Sequence, residues 1–93
     1  MDLTARWTQL REFCEAAARY PELEVWLFGS ALYSPDPADL DVLILYENRA
    51  DVIALRSASR WRHRDPPLHI IAMTPGEERF YGFKAVTGAT RLL

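Results

Sequence analysis

The sequence predicts a small α/β fold of the α+β type, in which a mixed sheet of three or four strands is flanked by helices. Short apolar runs of strand length alternate with longer stretches whose apolar residues recur every three or four positions. Loops that contain proline, glycine or asparagine separate these segments. Because 93 residues support one modest core, we expect a single domain over residues 1–93.

Composition and charge narrow the class of protein. The chain is 49% hydrophobic and 26% charged, which is ordinary for a globular protein, and its net charge of −2 does not indicate nucleic acid as a partner. A single cysteine, Cys14, excludes an internal disulfide and is interpreted as a small apolar residue on a helix. The N-terminus lacks a signal-peptide pattern, and no apolar run reaches membrane-spanning length. We therefore expect a cytoplasmic protein that does not contact a membrane.

The first half of the chain predicts one helix and two strands. The helix is expected over Thr4–Tyr20, where Pro21 ends it. Its apolar residues recur at helical spacing: Trp7, Leu10, Cys14 and Ala17. Strands are predicted at Glu24–Phe28 and Leu40–Tyr46, and the short connection between them favours antiparallel pairing.

A second long helix is predicted over Arg49–Arg62, with Asn48 as its N-cap. Its inward residues are expected to be Leu55, Ala58 and Trp61. The arginines in and after this helix are interpreted as its solvated face: Arg49, Arg56, Arg60, Arg62 and Arg64. The alternative interpretation is a patch that binds RNA, a nucleotide tail or an acidic partner. The apolar run Leu68–Met73 predicts a third strand, and the helical crossover makes it parallel to the second.

The remaining segment predicts one more helix and an ambiguous end. Thr74-Pro75-Gly76-Glu77 has the form of a capping box with proline at the first helical position, so a helix should run to about Phe83. Residues Ala85–Leu93 fit a short edge strand, a frayed helix or a docking tail. The aromatic residues are interpreted first as core: Trp7, Trp26, Phe80, Tyr81 and Phe83. They exceed what so short a chain easily buries, which predicts an exposed apolar patch.

The predicted strand directions bring three segments to one edge of the sheet. The end of the first strand, the start of the second and the start of the third should meet there: Gly29-Ser30, Asp39-Leu40-Asp41 and Leu68-His69. Asp39 and Asp41 share one strand face, where their charges repel unless a cation lies between them. Carboxylate oxygens are the ligands that Mg²⁺ prefers, so the acid pair predicts a divalent-metal site.

The Gly29-Ser30 pair is interpreted as a phosphate-binding turn. Gly29 allows the backbone to turn sharply and approach a phosphate, and Ser30 offers its N–H and hydroxyl. The alternative interpretations are an ordinary strand-ending turn at Gly29-Ser30, a turn cap at Asp39 and an arginine partner for Asp41.

One motif consists of Leu-Phe-Gly-Ser, followed after eight residues by Asp-Leu-Asp and an apolar strand. This pattern resembles the DNA polymerase β-like nucleotidyltransferase superfamily, particularly its minimal single-domain (MNT) members. The resemblance implies the nucleotidyltransferase fold and Mg²⁺-dependent transfer of a nucleoside monophosphate from an NTP, with ATP the expected one, to a hydroxyl. It implies that Gly29 and Ser30 hold the triphosphate. It also implies that Asp39 and Asp41 hold two Mg²⁺ ions, with Mn²⁺ as an alternative.

The sequence departs from this family pattern at His69, where members usually carry a third acidic residue. His69 is interpreted as a catalytic residue beside the acceptor, since an imidazole can act as a general base or a nitrogen ligand. The alternatives are weakened chemistry, an inactive site or an ordinary histidine at the sheet edge. Glu77 and Glu78 are not expected to replace the missing carboxylate. MNT proteins often pair with small helical HEPN proteins in toxin–antitoxin modules, which implies a HEPN-like partner, with a homo-oligomer as the alternative. The missing third carboxylate favours the alternative function, a catalytically weakened or inactive MNT-fold binding or antitoxin subunit that acts through protein–protein contacts.

Overall fold

The computed structural model describes residues 3–57 and 60–93, and the side chains of Arg60 and Arg62 lie outside that description. Within these ranges the chain forms four α-helices and four strands. In chain order they are α1 (Thr8–Ala17), β1 (Glu24–Phe28), β2 (Leu40–Leu45), α2 (Arg49–Ser57), β3 (Leu68–Met73), α3 (Pro75–Tyr81), α4 (Phe83–Thr87) and β4 (Thr90–Arg91). Single turns of 3-10 helix occur at Leu3–Ala5, Gly29–Leu32 and Arg60–His63. The predicted mixed α/β class is confirmed.

The strands form one open sheet in the described part of the chain, in the order β3-β2-β1-β4. β1 and β2 are antiparallel, with Phe28 opposite Asp41, and β3 runs parallel to β2, with His69 beside Asp41. Both predicted strand directions are confirmed. β4 pairs antiparallel with β1, so the ambiguous C-terminal segment contains a helix and then a short edge strand.

The two faces of the sheet are covered differently. Val25 and Leu27 point to one face, where α1, α2 and the Arg60–His63 turn cover the main core. Its fully buried large side chains include Leu10, Phe13, Leu27, Leu40, Val42, Ile44 and Trp61. Trp26 and Phe28 point to the opposite face, where Phe28 meets Phe83 edge-to-face with ring centroids 4.9 Å apart. Asp41 and His69 lie on this second face.

The first helix is shorter than the Thr4–Tyr20 prediction. The chain is extended at Trp7 (φ −130°, ψ 117°), so the preceding 3-10 turn and α1 are separate elements. After α1, Arg19 and Tyr20 donate their N–H groups to carbonyls three residues back, which is the hydrogen-bonding pattern of a 3-10 turn and not of an α-helix. The prediction was wrong at both ends because apolar spacing of three and four residues does not distinguish an α-helix from short 3-10 turns.

The second helix is also shorter than predicted. Asn48 is confirmed as a cap, since its Oδ1 accepts the N–H of Ala50 at 3.0 Å. However, α2 ends at Ser57, and Ala58 lies outside the described residues. Trp61 reaches the core from the separate 3-10 turn, where it is 1% exposed and meets Phe13 edge-to-face at 5.4 Å.

Two of the arginines expected to be solvated make contacts within the chain. Arg56 donates from Nη2 to the carbonyl oxygen of Ile70 on the outer edge of β3, at 2.8 Å. Arg64 forms an ion pair with Glu12 of α1. These contacts connect the α2 region to β3 and to α1, which the sequence pattern did not indicate.

The capping box before α3 is confirmed. Thr74 Oγ1 accepts the N–H of Glu77 at 3.1 Å, and the Glu77 carboxylate accepts the N–H of Thr74 at 2.9 Å. The helix ends at Tyr81 rather than at Phe83, because Gly82 adopts the left-handed conformation (φ +60°) that divides α3 from α4.

Replacing Thr74 by alanine should lower the free energy of unfolding by about 1 kcal/mol, since the Glu77 N–H then lacks its acceptor. Urea unfolding monitored by circular dichroism measures this change. Thr8→Ala is the matched control, because Thr8 is exposed and α1 has no side-chain cap. Equal losses in both variants would show that the capping box adds nothing to stability.

The described part of the chain contains no helix with the length and apolar character needed to cross a membrane.

The predicted exposed apolar residues are present, and they include two of the aromatics first interpreted as core. Phe80 is 82% exposed and Tyr81 is 62% exposed, so the core interpretation was wrong for both. Exposed large hydrophobic residues also occur at Tyr33, Ile53 and Val86.

Candidate active site

Three side chains of metal-ligand type meet at one edge of the sheet. Asp39 precedes β2, Asp41 is on β2 and His69 is on β3. Each offers a ligand atom, and these atoms lie within 4.8 Å of one another. The parallel register brings this about, because Asp41 and His69 are direct neighbours on one sheet face. The structure thus assembles the residues that the sequence analysis placed at this edge.

Asp41 and His69 are in direct contact. The imidazole Nδ1 lies 3.2 Å from Asp41 Oδ1. The Asp41 side chain is 19% exposed, whereas that of His69 is 61% exposed. Among the described side chains, no arginine forms an ion pair with Asp39 or Asp41, so the arginine-partner interpretation of Asp41 finds no support there.

The pKa of Asp41 is raised above its ordinary value of 3.8, and the largest cause is burial. The hydrogen bond from His69 lowers the pKa, whereas the neighbouring Asp39 charge raises it. The fold therefore holds a carboxylate where its negative charge is unfavourable. A bound cation would relieve both the burial and the repulsion from Asp39.

Gly29 lies directly against this cluster. Its φ of +80° is in the left-handed region, and a Cβ added there would lie 2.2 Å from Asp41 Oδ2. Two independent constraints therefore require glycine at this position, namely the left-handed backbone conformation and the nearby Asp41 carboxylate. The turn predicted to hold phosphates is consequently in contact with Asp41, one of the two acids predicted to hold metal.

Gly29 also starts the short 3-10 turn that follows β1 (Gly29–Leu32). Ser30 is exposed in this turn, and its carbonyl oxygen accepts the N–H groups of Tyr33 at 3.0 Å and Ser34 at 2.8 Å. The Ser30 carbonyl oxygen thus stabilises the turn through two hydrogen bonds, while Ser30 itself is exposed at the surface.

The later acidic residues do not join the cluster, as the sequence analysis expected. Glu77 is part of the capping box. Glu78 is 7% exposed, and its carboxylate accepts the backbone N–H of Lys84 at 3.0 Å. Both carboxylates therefore have structural roles in α3.

Sequence reasoning missed the second requirement for glycine at position 29. The contact with Asp41 follows from the register that places Phe28 opposite Asp41. A connection as long as Gly29–Ala38 does not fix the register of the strands that it joins. Residues 42–45 of β2 are all buried, so strand alternation gives no signal for this register.

No protein-family model, curated protein or solved structure matches this chain. The chemistry of the site is therefore inferred from its own geometry and from the sequence resemblance.

Replacing Asp41 by asparagine should stabilise the metal-free protein at neutral pH by about 1 kcal/mol, the usual scale of a stabilising substitution. Since the folded-state pKa of Asp41 lies above 3.8, the native state binds its proton more tightly than the unfolded state does. Ionisation of Asp41 therefore lowers the free energy of unfolding as the pH rises towards the folded-state pKa. Above that pKa the loss of stability is complete.

Urea unfolding in a chelator between about pH 4 and pH 7 measures this difference. The advantage of Asp41→Asn should be small at the acidic end and full at neutral pH. An advantage that does not change with pH would show that the Asp41 charge is not its cause.

Proposed function

We propose that this chain is a divalent-metal-dependent nucleotidyltransferase of the MNT type, which transfers a nucleoside monophosphate from an NTP to a hydroxyl. The observation that carries the proposal is the contact between Gly29 and Asp41. It joins a candidate phosphate-binding turn to a group of three candidate metal ligands at one sheet edge.

The arrangement of elements supports the nucleotidyltransferase fold as part of this proposal. A helix precedes β1, a short turn connects β1 to an antiparallel β2, and α2 leads to a β3 that is parallel to β2. This is the order that the resemblance implies. It brings the start of β2 beside the end of β1 and the start of β3.

The residues present fit one divalent ion. Asp39 and Asp41 offer carboxylate oxygens and His69 offers an imidazole nitrogen, all from one cluster. The raised pKa of Asp41 indicates a carboxylate that a cation would stabilise. The resemblance implies a second ion. Since Mg²⁺ is commonly held by one or two carboxylates together with substrate phosphates, a second ion would depend on the triphosphate for its remaining ligands.

Each residue has a proposed role in transfer. Gly29 and Ser30 hold the triphosphate against the sheet edge, where Ser30 is exposed. Asp39 and Asp41 hold the ion, which when bound neutralises charge on the phosphates. His69, the third residue of the cluster, is proposed to lie beside the acceptor hydroxyl. The acceptor oxygen forms a bond to the α-phosphorus, the bond to the β-phosphate breaks, and pyrophosphate leaves with the acceptor proton passed to solvent.

A protein partner is proposed as the source of the acceptor. Phe80 and Tyr81 pack edge-to-face with ring centroids 5.0 Å apart and remain largely exposed. Exposed aromatic residues are enriched at protein interfaces. We propose a HEPN-like helical protein as the partner, with a second copy of this chain as the alternative.

Label transfer and mass spectrometry test this function. The protein is purified from its own cells with its co-purifying proteins and incubated with ATP labelled at the α- or γ-phosphate, with Mg²⁺ or Mn²⁺. We expect α-label on an acceptor, no γ-label, and a mass increase of one nucleoside monophosphate. Absence of α-label transfer from each of the four NTPs with either ion would contradict the proposal.

The second candidate function is a non-catalytic MNT-fold binding subunit. Two observations favour it, namely the histidine in place of a third carboxylate and the exposed aromatic pair. In this case the Asp39→Ala/Asp41→Ala double variant and the native protein should bind the partner equally, and neither should transfer label. Transfer by the native protein alone would exclude this candidate.

A further inference from the structure

We propose that His69 is a nitrogen ligand of the ion and that it makes this site prefer a first-row transition ion such as Mn²⁺ to Mg²⁺. This inference rests on the metal site of the proposed function. It goes beyond that function by assigning the role of His69 and the class of ion.

The position of the imidazole supports a shared ion. His69 Nδ1 lies 3.2 Å from Asp41 Oδ1, and both residues belong to the group with Asp39 whose ligand atoms lie within 4.8 Å of one another. Two ligands of one ion, each at about 2.1 Å and separated by about 100°, are themselves about 3.2 Å apart. The imidazole and the carboxylate therefore already have the spacing of two ligands of a single ion.

The backbone fixes this spacing more firmly than the side chain alone could. His69 and Asp41 are paired residues of the parallel β2–β3 ladder, and both side chains point to the face opposite the main core. With 61% of its side chain exposed, His69 is not held by core packing. Its described hydrogen bond joins Nδ1 to Asp41, so the Asp41 carboxylate orients the ring in the absence of metal. Nδ1 would bind the ion in the tautomer whose proton lies on Nε2, so the ion would replace this hydrogen bond.

The chemistry of the donor set then distinguishes the ions. Mg²⁺ prefers oxygen ligands in a near-ideal octahedron and gives up its water reluctantly. A neutral imidazole adds no negative charge to that of the two carboxylates, so it contributes little to the binding of Mg²⁺. Transition ions accept imidazole nitrogen, and their affinity for such sites rises across the series from Mn²⁺. Replacing a carboxylate by His69 thus weakens Mg²⁺ binding and retains binding of a nitrogen-accepting ion.

Mn²⁺ titration followed by electron paramagnetic resonance tests the preference in the full chain, with Mg²⁺ as the competitor. We expect wild-type protein to bind Mn²⁺ more tightly than Mg²⁺, so that Mg²⁺ displaces Mn²⁺ only when Mg²⁺ is in excess. His69→Ala should weaken Mn²⁺ binding by about tenfold or more and change Mg²⁺ binding much less. His69→Asp should restore Mg²⁺ binding. His63→Ala is the matched control, because His63 is the other of the two histidines and lies outside the cluster.

Pulsed electron paramagnetic resonance of bound Mn²⁺ tests the ligand directly, without an activity assay. A ¹⁴N coupling that changes to ¹⁵N in protein labelled at histidine should be present in the wild type and in His63→Ala. It should be absent in His69→Ala.

The possible failures are distinguishable. Mn²⁺ that binds to the wild type and is lost in Asp41→Ala, but shows no histidine nitrogen, would overturn the role of His69 and leave the proposed function standing. Equal affinities for Mn²⁺ and Mg²⁺ would overturn the preference. No binding of either ion would contradict both this inference and the metal site of the proposed function.

Discussion

Replacing Gly29 by alanine should lower the free energy of unfolding by about 3–5 kcal/mol, because two separate penalties act at this position. A Cβ is strained at φ +80°, and it would lie 2.2 Å from Asp41 Oδ2 and 3.1 Å from Asp41 Cγ. A 93-residue chain at roughly 0.1 kcal/mol per residue has about 9 kcal/mol of stability in total. Urea unfolding should therefore show a midpoint that falls by about a third or more.

A matched glycine separates the two penalties. Gly82 is also left-handed, at φ +60°, but a Cβ added there would have nothing within 4 Å. Gly82→Ala should therefore cost only the backbone strain, about 1–3 kcal/mol. In an Asp41→Ala background, which removes Oδ2 and Cγ, the cost of Gly29→Ala should fall towards that of Gly82→Ala, because only the Cβ of residue 41 remains, 3.3 Å from the added Cβ.

Two outcomes would contradict this account of position 29. One is an equal cost for Gly29→Ala and Gly82→Ala in the wild-type background. The other is a Gly29→Ala cost that does not change when Asp41 is truncated. Either would show that the Gly29 backbone and the Asp41 carboxylate are not in the contact on which the site depends.

Replacing Asp39 or Asp41 by alanine should reduce nucleotidyl transfer by more than about 100-fold. Groups that only orient metal ligands contribute about 10- to 100-fold, and a ligand itself contributes more. Each variant removes one of two carboxylate ligands from the three-residue cluster. Transfer of α-label from ATP to the co-purifying acceptor, at saturating Mn²⁺ and Mg²⁺ in turn, measures the loss.

The same loop provides a control for this experiment. Asp36 is an exposed acid shortly before Asp39, and it is not part of the cluster. Asp36→Ala should retain full transfer and full partner binding. Activity in Asp39→Ala and Asp41→Ala that equals that of Asp36→Ala would refute the assignment of these acids.

The sequence was sufficient to predict most of what positions the site. The short β1–β2 connection and the helical β2–β3 crossover indicated the strand directions, and these directions bring the start of β2 and the start of β3 to one edge of the sheet. The capping box at Thr74 and the cap at Asn48 were also readable, because they depend on residues close in sequence.

What the sequence could not predict depends on register or on distant contacts. The approach of Gly29 to Asp41 requires that Phe28 lie opposite Asp41, and strand alternation leaves that register open. The ends of α1 and α2 were wrong because 3-10 turns satisfy similar apolar spacing. The Arg56 bond to the Ile70 carbonyl joins residues whose proximity follows only from the folded crossover.

A crystal of the protein soaked with Mn²⁺ and a non-hydrolysable ATP analogue would locate both the ion and the triphosphate, since anomalous scattering identifies Mn²⁺. We predict an ion bound by Asp39 and Asp41, with the triphosphate against Gly29 and Ser30. An ion elsewhere, or a triphosphate bound away from the Gly29–Leu32 turn, would contradict the account.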